Sequence, residues 1–155
     1  MMMNLSCDVL EALKGKTLVT AESCTGGGIG TALTAVPGSS EVFKGGVICY
    51  TNWVKEHVLG VDSQLLKECG AVSSTVAKAM ADGVRKLMQA DIAVSVTGLA
   101  GPGGDEYGNP VGTVFIGYSS TDSIYAREFH FLGDREQIRT QAVCAALELV
   151  LEENK

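Results

Sequence analysis

The chain has 155 residues, 46% apolar and 19% charged, with a mean hydropathy of +0.19; this suits one compact domain over 1–155 and excludes a disordered chain. Acidic residues outnumber basic ones by 18 to 12, a net charge of −6, which speaks against a nucleic-acid polymer as partner. No apolar run reaches the roughly 18–20 residues of a membrane span, and Met1-Met2-Met3-Asn4 opens on neither the basic nor the apolar region of a secretion signal, so a cytoplasmic protein is expected.

In chain order, apolar spacing at Leu5, Val9, Leu10 and Leu13 predicts a first helix, ended by Gly15. Thr17–Ala21 reads as a strand. It runs into Glu22-Ser23-Cys24-Thr25-Gly26-Gly27-Gly28 and then a helix to about Ala35. Phe43–Thr51 reads as a second strand, with Gly45-Gly46 suggesting a bulge or close packing. Asn52 can cap a short helix through Val58, and Asp62 or Ser63 another through Glu68. Ser74–Gln89 carries Val76, Met80, Val84, Leu87 and Met88 at helical spacing. Asp91–Thr97 is nearly all apolar, as in a strand inside a sheet. A Gly/Pro loop follows from Gly98 to Gly112. Thr113–Tyr118 and Ile124–Phe131 then read as a hairpin, and Asp134–Glu152 as a last helix whose Asp134 and Gln137 match a capping box. Helices and strands mixed in this way predict a three-layer α/β/α sandwich around a mixed sheet. Its parallel part comes from the Thr17 and Ile92 strands and its antiparallel part from the hairpin.

The five cysteines (Cys7, Cys24, Cys49, Cys69, Cys144) are odd in number and form no CxxC pair, so reduced, packed thiols are expected rather than a metal or disulfide framework. Glycine is enriched, with 19 residues, seven within 26–46 and seven within 98–117. A strand end feeding the Ser23–Gly28 turn brings free N–H groups and a positive helix end together, an arrangement suited to an anion. It matches neither GxxxxGK nor GxGxxG. Ser23 and Thr25 add hydroxyls there, and either could instead serve as helix cap.

Tyr50-Thr51-Asn52-Trp53-Val54-Lys55 follows a strand end, where open α/β sheets bind ligands. His57 and His130 are the two histidines. A serine nucleophile without a histidine base needs a desolvated lysine. The Thr97–Gly104 loop could lay bare backbone against a ligand, and Arg135 and Arg139, one turn apart, could clamp a phosphate.

Taken together, Ala21–Gly27, Tyr50-Thr51-Asn52 with Lys55, Gly70-Ala71-Val72-Ser73, Thr97–Gly104 and Pro110–Val114 resemble the CinA C-terminal domain family, in family order and over nearly the whole chain. The resemblance implies nicotinamide-nucleotide amidohydrolase activity: nicotinamide mononucleotide and water give nicotinate mononucleotide and ammonia, a step of pyridine nucleotide recycling. It implies Ser23 as nucleophile, Lys55 as its activating base and Tyr50 beside them. Thr97 and Arg139 would line the nucleotide pocket. The residues themselves add backbone N–H groups near Thr25, Gly26 and Gly27 to hold an oxyanion, and the loop with Gly98 and Gly101 as a further substrate contact. It implies no metal, no cofactor and a homodimer or higher homo-oligomer. The sequence departs from the family at Thr51, Leu99 and Asn109, the last of which stands where a basic residue usually precedes Pro-Val-Gly. The additional N-terminal domain of some members, with its pyrophosphatase role, is not expected in 155 residues. A nucleotide-binding regulatory module without turnover, or an amidohydrolase for another amide, are the alternatives.

Overall fold

The computed structural model describes residues 2–155. Five strands form one mixed sheet: β1 (Leu18–Glu22), β2 (Phe43–Ile48), β3 (Ile92–Gly98), β4 (Thr113–Ser120) and β5 (Ile124–His130), in the spatial order β2-β1-β3-β4-β5. β1 pairs in parallel with both β2 and β3, whereas β3–β4 and β4–β5 are antiparallel. The expected mixed sheet is present, and β2 joins its parallel part. Between Leu18 and Val19 the β1–β2 register skips Lys44, so the irregularity falls one residue before the expected Gly45-Gly46, both of which pair with β1.

Six α-helices cover the two faces: α1 (Met2–Ala12), α2 (Gly28–Thr34), α3 (Asn52–His57), α4 (Ser63–Cys69), α5 (Ser74–Leu87) and α6 (Arg135–Glu153). Strand side chains alternate between faces. Leu18, Ile92, Val94, Val96, Val114 and Ile116 pack with α1, α2 and α6 in one core cluster. Val19, Ala21 and Ala93 pack with Val76, Met80 and Val84 of α5 and Leu66 of α4 in the other. The layers are therefore those expected. Leu87 and Met88 are exceptions to the predicted stripe: they fall at the C-terminal end of α5 and remain exposed. The first helix begins earlier than its apolar spacing indicates, at Met2.

Caps follow local chemistry. Asp62, Ser73 and Asp134 each accept a backbone N–H at the start of α4, α5 and α6, and Asp134 with Gln137 completes the capping box. Asn52 does not cap α3. It is the helix's first residue, and Thr51 holds the cap position without a side-chain bond. α2 likewise has no side-chain cap from Ser23 or Thr25; Gly27, left-handed at φ 102°, occupies that position.

This topology places the site. Because β1, β2 and β3 are parallel, the segments leaving them (Ser23, Tyr50–Lys55 and Gly98 onward) emerge along one sheet edge. Two antiparallel steps make β5 run with β3 as well, so the start of α6 returns to that same edge.

Candidate active site

Ser23 follows the last residue of β1 and is nearly buried; its N–H donates to the Val96 carbonyl (2.9 Å), which pins the turn to β3. Lys55 comes from α3 and is 1% exposed. A lysine is rarely buried so fully unless something holds it. Its Nζ donates to Ser23 Oγ at 3.0 Å and to the Cys49 carbonyl at 2.7 Å. Among the described residues no carboxylate pairs with it. Burial therefore lowers the Lys55 pKa, while nearby Cys49 and Cys24 act weakly in the opposite sense. Burial also pushes the Cys24 and Cys49 thiols up to about 11, leaving both protonated at neutral pH.

A cavity of 290 Å³ opens beside this pair, bounded by Tyr50, Asn52, Thr97, the Gly98–Gly101 backbone and Arg135. Thr97 Oγ1 donates to the Ala71 carbonyl (2.8 Å), so its proton is committed to the far wall. Gly98 has no room for a side chain: a Cβ there would lie 2.6 Å from Val114 Cγ2. Tyr50 stands exposed at the rim, and its hydroxyl accepts from Arg135 Nη2 at 3.2 Å. Arg135 Nη1 donates to the Gly101 carbonyl (2.6 Å). This arginine thus ties the rim tyrosine to the glycine loop.

The structure brings together Ser23, Lys55, Tyr50, Thr97, Gly98 and Gly101 from the expected set. It does not bring Arg139, Thr25, Gly26 or Gly27 into this cavity. Arg139 Nε and Nη2 donate to the carbonyls of Cys24 and Thr25, at 3.0 and 3.2 Å, behind the Ser23 turn. Thr25 Oγ1 is buried and donates to Glu22 Oε1 at 2.8 Å. Gly26 and Gly28 line a separate 580 Å³ cavity together with Arg139. At Gly28 a Cβ would stand 2.9 Å from Val143 of α6, so close helix packing requires this glycine.

The expected free N–H groups at the α2 start are also partly engaged. Gly26 N–H donates to the Ser23 carbonyl, and those of Ile29 and Gly30 donate to the Glu22 carboxylate. The N–H groups of Cys24 and Thr25 have no acceptor among the described residues, and Cys24 borders the Ser23 cavity. Sequence reasoning paired Arg135 with Arg139 and did not assign Glu22 a part. The presence of an acidic residue just before a glycine-rich helix start was the available signal for the latter.

Neither histidine approaches Ser23. His57 Nδ1 lies 2.9 Å from the Trp53 carbonyl and its ring stacks on Trp53, while His130 lies 2.6 Å from Glu128. Asn109 Nδ2 donates to Asp105 Oδ2 and the Val72 carbonyl, bracing the loop. Among the described residues no helix is long and apolar enough to cross a membrane.

A family model described as the CinA C-terminal domain matches residues 3–154. The chain is 50% identical over 133 residues to a CinA-like protein of Thermotoga maritima and 49% identical over 134 residues to one of Geobacter metallireducens. Each match covers 86% of this chain and 32% of the relative, so the chain spans about a third of the length of these curated relatives. Among solved structures, a competence-damaged protein (CinA) superfamily protein of Klebsiella pneumoniae matches with a TM-score of 0.96 at 35% identity, covering 99% of this chain and 97% of that one. A competence/damage inducible protein of Agrobacterium tumefaciens matches with 0.95 at 37% identity, covering 99% and 96%. With its motifs in order and its α/β/α architecture shared, the chain belongs to the CinA C-terminal domain family.

Proposed function

We propose that the chain is an amidohydrolase that converts nicotinamide mononucleotide and water to nicotinate mononucleotide and ammonia through a Ser23–Lys55 pair. The observation that carries the reading is the 3.0 Å contact between Ser23 Oγ and a buried Lys55 Nζ with a lowered pKa. A surface lysine would be solvated and protonated. This one is poised to lose its proton and act as a base. The same contact favours an enzyme over an idle binding module.

In the proposed reaction neutral Lys55 accepts the Ser23 proton as Oγ bonds to the carboxamide carbon. The charge that develops on the amide oxygen is met by backbone N–H groups. The Cys24 N–H, which is free and borders the cavity, fits this role better than the expected Gly26, whose N–H is already bonded to the Ser23 carbonyl. One such donor contributes roughly 3–4 kcal/mol in comparable enzymes. The C–N bond breaks and ammonia leaves with a proton from Lys55 or Tyr50. Water then attacks the Ser23 ester, releasing the carboxylate and restoring the hydroxyl.

The substrate is an anion and the protein carries a net charge of −6, so binding needs a local cation. Arg135 at the rim fits this need better than Arg139, whose guanidinium is turned to two carbonyls behind the site. Thr97, Gly98 and Gly101 would line the bound ring and ribose. The homo-oligomer implied by family resemblance belongs to this reading, with sedimentation mass as its test.

A substrate panel tests the function. Ammonia release is expected from the mononucleotide and to be weaker from the nucleoside and free nicotinamide. Arg135→Ala should raise KM for the mononucleotide about tenfold or more while changing rates with nicotinamide little, as loss of a charge-assisted contact to phosphate predicts. Release from free nicotinamide at the mononucleotide's rate would point to a different amide substrate.

A further inference from the structure

The start of α2 already holds an anion supplied by the chain itself. Glu22 is 2% exposed, and its carboxylate accepts four hydrogen bonds. Oε1 takes Thr25 Oγ1 and the Ile29 N–H, each at 2.8 Å. Oε2 takes Thr20 Oγ1 and the Gly30 N–H, each at 3.1 Å. No lysine or arginine pairs with it among the described residues. A carboxylate buried without a cation is tolerated only where donors replace its hydration, and four donors meet that condition.

The same residue is joined to the reacting pair through its main chain. The Glu22 carbonyl accepts the Cys49 N–H (2.9 Å), the Cys49 carbonyl accepts Lys55 Nζ, and Lys55 Nζ reaches Ser23, the residue after Glu22. The carboxylate therefore ties the turn on the far side of Ser23, while the backbone ties the near side to the strand that presents Lys55. Glu22 does not line the Ser23 cavity.

We propose that Glu22 is a positioning residue of the active site. By holding Thr25 and the first turn of α2, its carboxylate keeps the Ser23 hydroxyl at Lys55. This role rests on the Ser–Lys reading above. The anion expected at the helix start is thus the protein's own carboxylate.

Glu22→Gln keeps the shape but puts an NH₂ where one oxygen accepted a backbone N–H, so one side of the clasp must open. The test is labelling of the full chain by methanesulfonyl fluoride, in which Ser23 Oγ bonds to sulfur, fluoride leaves and the proton passes to Lys55. Labelling is followed by intact mass and peptide mapping at a temperature where circular dichroism reports a fully folded protein. The rate constant reads the geometry of folded molecules, whereas the amplitude reads how many are folded. A merely structural role would lower only the amplitude. We expect the rate constant to fall about tenfold or more in Glu22→Gln, as a small misplacement of a reacting group would predict. Thr25→Val, which removes one of the four donors, should fall in between, and it serves alone if Glu22→Gln does not fold. A rate constant equal to wild type in the folded variants overturns the positioning role and leaves the Ser–Lys reading intact. A wild-type protein not labelled at Ser23 overturns both.

Discussion

At the scale of single residues, the proposed chemistry turns on how deeply one lysine is buried. Lys55 is most useful as a base in its neutral form, and burial favours that form. The sign is fixed: with the pKa lowered, the neutral amine is reached at a lower pH than for a solvated lysine. We therefore expect kcat/KM to rise with pH and level off below the ordinary lysine range. A profile that keeps rising to that range would mean Lys55 is not the base. In the sequence nothing separates Lys55 from a surface lysine, because its burial is created by where α3 lands after β2. The two arginines pose the same problem. Arg135 and Arg139 lie one turn apart, and their directions are decided by which carbonyls the fold brings near: Gly101 for one, Cys24 and Thr25 for the other. That information is tertiary, so only the pair, and not the division of labour within it, was legible.

At the scale of elements, β1 and the α2 start hold Ser23 between them, and glycine makes this possible at one place in particular. Gly46 on β2 faces Thr20, and a Cβ there would overlap both the Thr20 hydroxyl and its carbonyl. Thr20 is in turn a donor to Glu22. Gly46→Ala should destabilise the protein by about 1–3 kcal/mol, the usual penalty of forcing a methyl into filled space, read as a lower thermal or urea midpoint. A midpoint unchanged from wild type would contradict this packing. Legibility is uneven here too. The close packing at Gly46, the capping box of α6 and the amphipathic face of α5 follow from patterns within a few residues. The capping of α2 does not, since its donors meet a carboxylate that precedes Ser23 and lies outside every usual cap position.

At the scale of the whole molecule, topology gathers the site. The apolar periodicity is enough to foresee three layers around a mixed sheet, and the glycine-rich segments mark two of the strand ends that meet. Strand order is not encoded in any local pattern, and it is the order β2-β1-β3-β4-β5 that sets Ser23, Lys55, the Gly98–Gly101 backbone and Arg135 on one edge. A larger cavity, 580 Å³ between α1, α2 and α6, lies away from the Ser–Lys pair, so size does not mark the candidate site. The glycine excess has several physical origins: close packing at Gly28, Gly46 and Gly98, and left-handed backbone at positions such as Gly27 and Gly101, the latter beside the cavity. Every step of the proposed reaction depends on Ser23 acting as nucleophile in amide hydrolysis. Its most direct test is the rate of ammonia release from nicotinamide mononucleotide by the wild-type chain and by Ser23→Ala. Turnover by the wild type with a loss of about 10³-fold or more in the variant is the expected result; release by Ser23→Ala at the wild-type rate would contradict it.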